Sequence, residues 1–100
     1  MQREIKFHPI FGRLLLSGAK TCTSRSKQLA DKGDTFSAFG ATFLVYNVQQ
    51  TRLGAVRARL FAEEGAISPE HFEKVYRSVG RYRPFDPEKQ VWVHFFKRVL

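Results

Sequence analysis

The sequence is short of the residues that build several common kinds of site. It holds one cysteine, Cys22, so no intrachain disulfide is available. A lone cysteine fits a reducing compartment. The three histidines, His8, His71 and His94, are scattered and give no metal-ligand spacing with Cys22. Neither a metal nor another cofactor is expected. No apolar run approaches the roughly 18 residues of a membrane span. The opening M-Q-R-E-I-K-F is charged where a secretory signal would be apolar. These absences lead to the expectation of a soluble, cytoplasmic protein with no membrane partner. Low-complexity stretches, linkers and internal repeats are also missing, which leaves one domain over residues 1–100. Acidic residues are few: nine against seventeen Lys and Arg, for a net charge of +8. Such a balance favours an anionic partner, nucleic acid above all, or else is a generic basic surface that aids solubility.

What is present is enough apolar material for a modest core. Apolar residues make up 43% of the chain and ten residues are phenylalanine, which excludes a disordered segment. Residues 4–7 read as a short strand. Pro9 suits the first turn of a helix, where its missing N–H costs nothing. Phe11, Leu14, Leu15 and Gly18 then fall at i, i+3, i+4 and i+7, with Gly18 as the stop. Lys32-Gly33-Asp34 is a turn, and the uncharged run from Thr35 to Thr51 reads as central strands with a hairpin at Gly40. Gly54 reads as the next turn. In A-V-R-A-R-L, Val56, Ala58 and Leu60 alternate with Arg57 and Arg59, the pattern of a half-buried strand. Ser68-Pro69-Glu70 starts a second helix, with N-cap, proline and acid in order. Its apolar stripe is Phe72, Val75, Tyr76 and Val79, and Gly80 ends it. The segment from Arg81 to Glu88 holds two prolines and reads as a loop, and Val91 to Val99 as a closing aromatic strand. The order predicts an α+β fold: a small, mainly antiparallel β-barrel with two flanking helices.

Four stretches together resemble the ASCH domain, a branch of the PUA-like superfamily. They are L-L-S-G-A-K-T-C-T-S-R, then K-G-D-T-F, then A-E-E-G-A-I-S-P-E-H-F, then the aromatic final strand. The likeness runs from about Ile5 to Arg98. It implies a small PUA-like mixed barrel with a cleft beside the G-x-K-T-x-T-x-R loop. Members of that family are associated with RNA, and a few small ones are hydrolases. Among these, the chain is most similar to small bacterial amidohydrolases acting on N(4)-acetylcytidine. That similarity implies Lys20, Thr23 and Glu64 as catalytic residues and matches Arg25 to the arginine closing the motif. The chain departs from that subgroup in the Arg81–Glu88 loop and in much of its middle.

Each candidate residue also has a plainer reading. Lys20 in a partly enclosed cleft would give up its proton more easily and activate the Thr23 hydroxyl, with Glu64 orienting it or relaying a proton. It would equally serve as a point charge for phosphate, or simply sit solvated at a helix end. Thr21 would hydrogen-bond a ligand or cap the bend. Cys22 would point the other way as a small buried hydrophobe. Arg25, Lys27, Arg57 and Arg59 form a basic wall or an ordinary charged sheet face. Arg77, Arg81 and Arg83, interleaved with Tyr82 and Phe85, suit single-stranded nucleic acid, or the rings anchor a loop. His94 reads as an internal, satisfied histidine. Three functions follow: binding of RNA or a modified nucleoside or nucleotide in a basic cleft; hydrolysis of N(4)-acetylcytidine, with ribonuclease activity a variant; or a protein-interaction or regulatory role through the aromatic loop around Arg81 to Phe85.

Overall fold

The uncharged run between Thr35 and Thr51 folds back on itself in the computed structural model, which describes residues 1–79 and 83–100. Strands β2 (Thr35–Ala38) and β3 (Ala41–Arg52) pair antiparallel across a tight turn at Phe39-Gly40. Both turn residues have positive φ, 51° and 81°, the geometry that matches the twist of a hairpin. β1 (Cys22–Arg25) and β4 (Gln90–Arg98) complete a curled antiparallel sheet in the order β1-β4-β3-β2. β1 is therefore an edge strand, paired on one side to β4 with Thr23 opposite His94. A bulge in β3 between Val45 and Asn47 shifts its register against β4, adding local bend and twist.

Helix α1 (Gly12–Ser17) follows a single 3-10 turn, Pro9–Phe11, and is closed by Gly18 in the left-handed conformation. His8 Nδ1 accepts from Ile10 N at 3.2 Å at the start of that turn. Helix α3 (Pro69–Ser78) begins as expected: the Ser68 side chain accepts from His71 N, and Glu70 lies in the first turn. Gly80, expected to end it, lies outside the described residues. No helix among the described residues is long and apolar enough to cross a membrane.

The α+β architecture agrees with the expectation; two local readings do not. Residues 4–7 form no strand. Ile5 instead drops into the core, and it is Gln2, just before this segment, that makes a parallel bridge to Thr35. The Gly54 turn and the following strand are in fact one helix, α2 (Leu53–Arg59). Leu53, Val56 and Leu60 lie three and four residues apart and cover one helical face, so the short alternation with arginine was misleading. The first N–H groups of α2 are satisfied by the loop before β4: Leu53 N donates to Lys89 O and Gly54 N to Pro87 O. Gly54 permits this approach, since a Cβ there would lie 2.9 Å from Pro87 Cβ.

The sheet separates two cores. One is aromatic: Phe36 stacks on Phe43 with centroids 5.2 Å apart, and Phe96 meets both edge-on. Full burial stabilises by about 1.5–3 kcal/mol for each such ring. The other packs Cys22, Val91 and Val93 against Leu53 and Val56 of α2 and Phe72 of α3. β4 serves both, with Val91 and Val93 on one side and Phe96 on the other.

Candidate functional site

The edge strand β1, the loop after α2 and the start of α1 meet around a cavity of about 560 Å³. Lys20 enters it from the bend between α1 and β1, and Glu64 from the turn after α2. Although 44 residues apart, they are in contact: Lys20 Nζ donates to Glu64 Oε1 at 2.7 Å and to the Glu64 carbonyl at 3.0 Å. Both side chains are almost wholly enclosed, 3% and 6% exposed. The ammonium also lies 4.8 Å from the centre of the Phe11 ring.

Backbone contacts hold this arrangement. Thr21 N and Cys22 N both donate to Glu63 O, at 2.7 and 3.1 Å. Gly65, at φ 94°, has no room for a side chain: a Cβ there would meet Leu14 at 3.1 Å and Lys20 Cβ at 3.2 Å. Glycine at this position thus allows the Lys20 stem to lie flat against the turn that carries its partner.

Ser24 completes the group, and sequence reasoning missed it. Its hydroxyl donates to Glu64 Oε2 at 2.5 Å, so both carboxylate oxygens are engaged. The available signal was period two: Lys20, Cys22 and Ser24 alternate with Thr21, Thr23 and Arg25 along an extended segment. Thr23 is buried and lines the same cavity, but its oxygen accepts from Arg25 Nε at 3.2 Å. Among the described residues no hydrogen bond joins Thr23 to Lys20 or Glu64. Behind it His94 is fully buried, with Nε2 accepting from Leu29 N at 3.0 Å and Nδ1 facing Thr23 O at 3.4 Å. Burial holds its pKa below the usual histidine value, and the charge of Arg25 adds to this. It is the satisfied internal histidine that the sequence suggested.

The basic residues divide between the cavity and other surfaces. Arg25 and Lys27 line it. Arg25 lies over the Phe7 ring at 5.0 Å and donates through Nη2 to Lys6 O at 2.6 Å. Burial lowers its pKa, and the charge of Arg83 acts in the same direction. Arg83 reaches the same cavity, with its guanidinium 3.6 Å from the centre of the Tyr76 ring. Arg57 and Arg59 do not border it. Because they lie on a helix, Arg57 crosses to α3 and pairs with Glu73 at 2.9 Å, while Arg59 is exposed. Thr21 borders a separate hollow of about 150 Å³. Arg77 pairs with Glu73 at 3.0 Å. Arg81 and Tyr82 lie outside the described residues. Phe85 anchors its loop, edge-on to Tyr76 at 5.5 Å. Cys22 is fully buried, and desolvation pushes its thiol pKa up, with Glu64 adding to this, so it is no nucleophile here. No group of His, Cys, Asp and Glu among the described residues could hold a metal ion.

No family model matches the chain, and no curated protein does. Solved structures do. An ASCH domain from Lactobacillus crispatus JV V101 superposes with a TM-score of 0.63 at 13% identity, over 89% of this chain and 70% of that one. Protein EF3133 from Enterococcus faecalis V583, of the DUF984 family, gives 0.61 at 18% identity, over 90% and 67%. The hypothetical protein PH0355 gives 0.72 at 17% identity, over 99% and 100%. The similarity therefore lies in the path of the backbone, an α+β fold shared with an ASCH domain.

Proposed function

We propose that this chain binds a single modified nucleoside, of the N(4)-acylated cytidine class, in the cavity. The observation that carries this reading is the enclosure of the Lys20–Glu64 pair in the wall of a 560 Å³ space. That volume is within the usual range for one small-molecule ligand, roughly 300–1,000 Å³. Phe11, Phe72 and Tyr76 offer apolar faces to a base, and the charged pair offers a donor and an acceptor to its polar edge. Calorimetric titration with N(4)-acetylcytidine tests it. Saturable binding, lost in Lys20→Ala, is expected; no heat with either acetylated or plain cytidine would remove the reading.

A second reading, hydrolysis of the exocyclic amide, is favoured by a hydroxyl, an ammonium and a carboxylate lining one cavity. Thr23 Oγ1 would add to the amide carbonyl carbon, and the C–N bond would break. The hydroxyl proton would pass through the Glu64–Lys20 pair to the departing amine. Water would then cleave the threonine ester to release acetate. The reading requires Thr23 to come within reach of that pair in the bound state, as catalytic contacts often tighten only then. Chromatography of N(4)-acetylcytidine incubated with the protein and with Thr23→Ala checks it: cytidine should appear with the first and not with the second.

A further inference from the structure

The charges around the cavity do not balance. Among the described residues, six cations border it (Lys6, Lys20, Arg25, Lys27, Arg83 and Lys89) against one carboxylate, Glu64. Lys20 is neutralised by Glu64, and Lys6 has Glu4 at 3.3 Å. Arg25 and Arg83 have no carboxylate within 4 Å among the described residues. Both guanidinium groups are nevertheless held in place. Arg25 is fixed by Lys6 O, Thr23 Oγ1 and the Phe7 ring. Arg83 is fixed by Tyr76 O, at 3.0 Å from Nε, and by the Tyr76 ring. Both line the same cavity; there the charge of Arg83 lowers the pKa of Arg25 and that of Glu64 raises it. Two oriented, mutually repelling forks facing one space are relieved by an anion between them. Each has five N–H donors, and the contacts above use only some of them.

We propose that Arg25 and Arg83 form a phosphate clamp at the mouth of the cavity, so that its ligand is a nucleoside 5′-monophosphate. This rests on the reading of the cavity as a site for a modified nucleoside and specifies which form enters. A phosphate monoester carries close to two negative charges at neutral pH and offers three acceptor oxygens. It satisfies both guanidiniums at once, in the bidentate geometry that arginine favours. The base then lies against Phe72 and Tyr76, with its polar edge toward Lys20 and Glu64. A cavity of this volume holds one nucleotide and not a chain of them.

The test compares affinities. Wild-type protein is titrated with N(4)-acetylcytidine, its 5′-monophosphate and a ten-nucleotide single-stranded RNA. Arg83→Gln is titrated with the first two; Arg83 is exposed, so this variant keeps the fold. The monophosphate should bind roughly ten- to hundredfold more tightly than the nucleoside, as hydrogen bonds to a charged group imply. In Arg83→Gln that ratio should shrink toward one. Equal affinities in the wild type would overturn the clamp while leaving the nucleoside site standing. No binding of either would remove both. An unchanged ratio in Arg83→Gln would also overturn the clamp, and so would tighter binding of the RNA than of the monophosphate, because a phosphodiester chain would then be the occupant.

Discussion

Glu64 and Asp34 each hold a cation at hydrogen-bonding distance, yet the cations sit in different surroundings. Asp34 receives Arg3 Nε at 3.0 Å and the N-terminal ammonium at 3.3 Å, both from residues open to water. The backbone N–H of Asp31 donates to it at 2.8 Å and, with Arg3, lowers its pKa to about 2. This cluster ties the first residues to the turn before β2. Glu64 faces a cation as enclosed as itself, and both of its oxygens are engaged inside the protein. Stripping water from two charges costs more than their attraction commonly returns, so apolar residues would serve stability as well. The cluster whose cations are open to water is explained by anchoring the chain. The enclosed one is explained by what it offers to the cavity.

The largest test of that contrast is Glu64→Ala. It leaves Lys20 enclosed without its partner and should cost about 3–5 kcal/mol in urea unfolding. The double variant Lys20→Met, Glu64→Met should recover most of the loss while ligand binding stays absent. A cost below about 1 kcal/mol for the single variant would mean that the pair behaves like a surface bridge. Ser24→Ala comes next. It removes one hydrogen bond to a carboxylate, worth roughly 1.5–3 kcal/mol.

Acid separates the two regions further. The folded state resists protonating His94, so below pH about 6.5 the unfolded chain takes up a proton that the native one does not. Stability should therefore fall as pH drops below about 6.5, and His94→Gln should flatten that slope. Asp34 acts lower. Its contribution is complete above pH about 4 and is lost as pH falls toward 2, a loss that Asp34→Asn would erase. The smallest effect is expected for Arg3→Ala, within the scatter of ordinary surface substitutions and fading in added salt, because Arg3 is 41% exposed.

The parts of the fold that were legible in the sequence are those set by local rules. Ser68-Pro69-Glu70 signals its helix through capping alone, the uncharged run signals its hairpin, and β4 shows apolar residues on both faces. α2 was not legible, because six residues of alternation fit a strand and a helix turn equally well, and its deciding contacts come from the distant loop at Pro87 and Lys89. The site shows the same division. Lys20 and Glu64 could be named together only through resemblance, since no local pattern links residues 44 apart. Ser24 was hidden because its partner lies on another element, and Arg57 was misplaced with the helix that carries it.

The turn at Glu63-Glu64-Gly65 does three jobs at once. Its first carbonyl receives two N–H groups of the neighbouring segment, its side chain supplies the acid, and its glycine makes room for the lysine stem. Residues 20–24 and 63–65 are thereby stapled into a single cassette. Displacing either half moves the backbone spacing and the charge spacing together. A designer transplanting this chemistry to another scaffold would have to carry both pieces, and drift at one would be felt at the other.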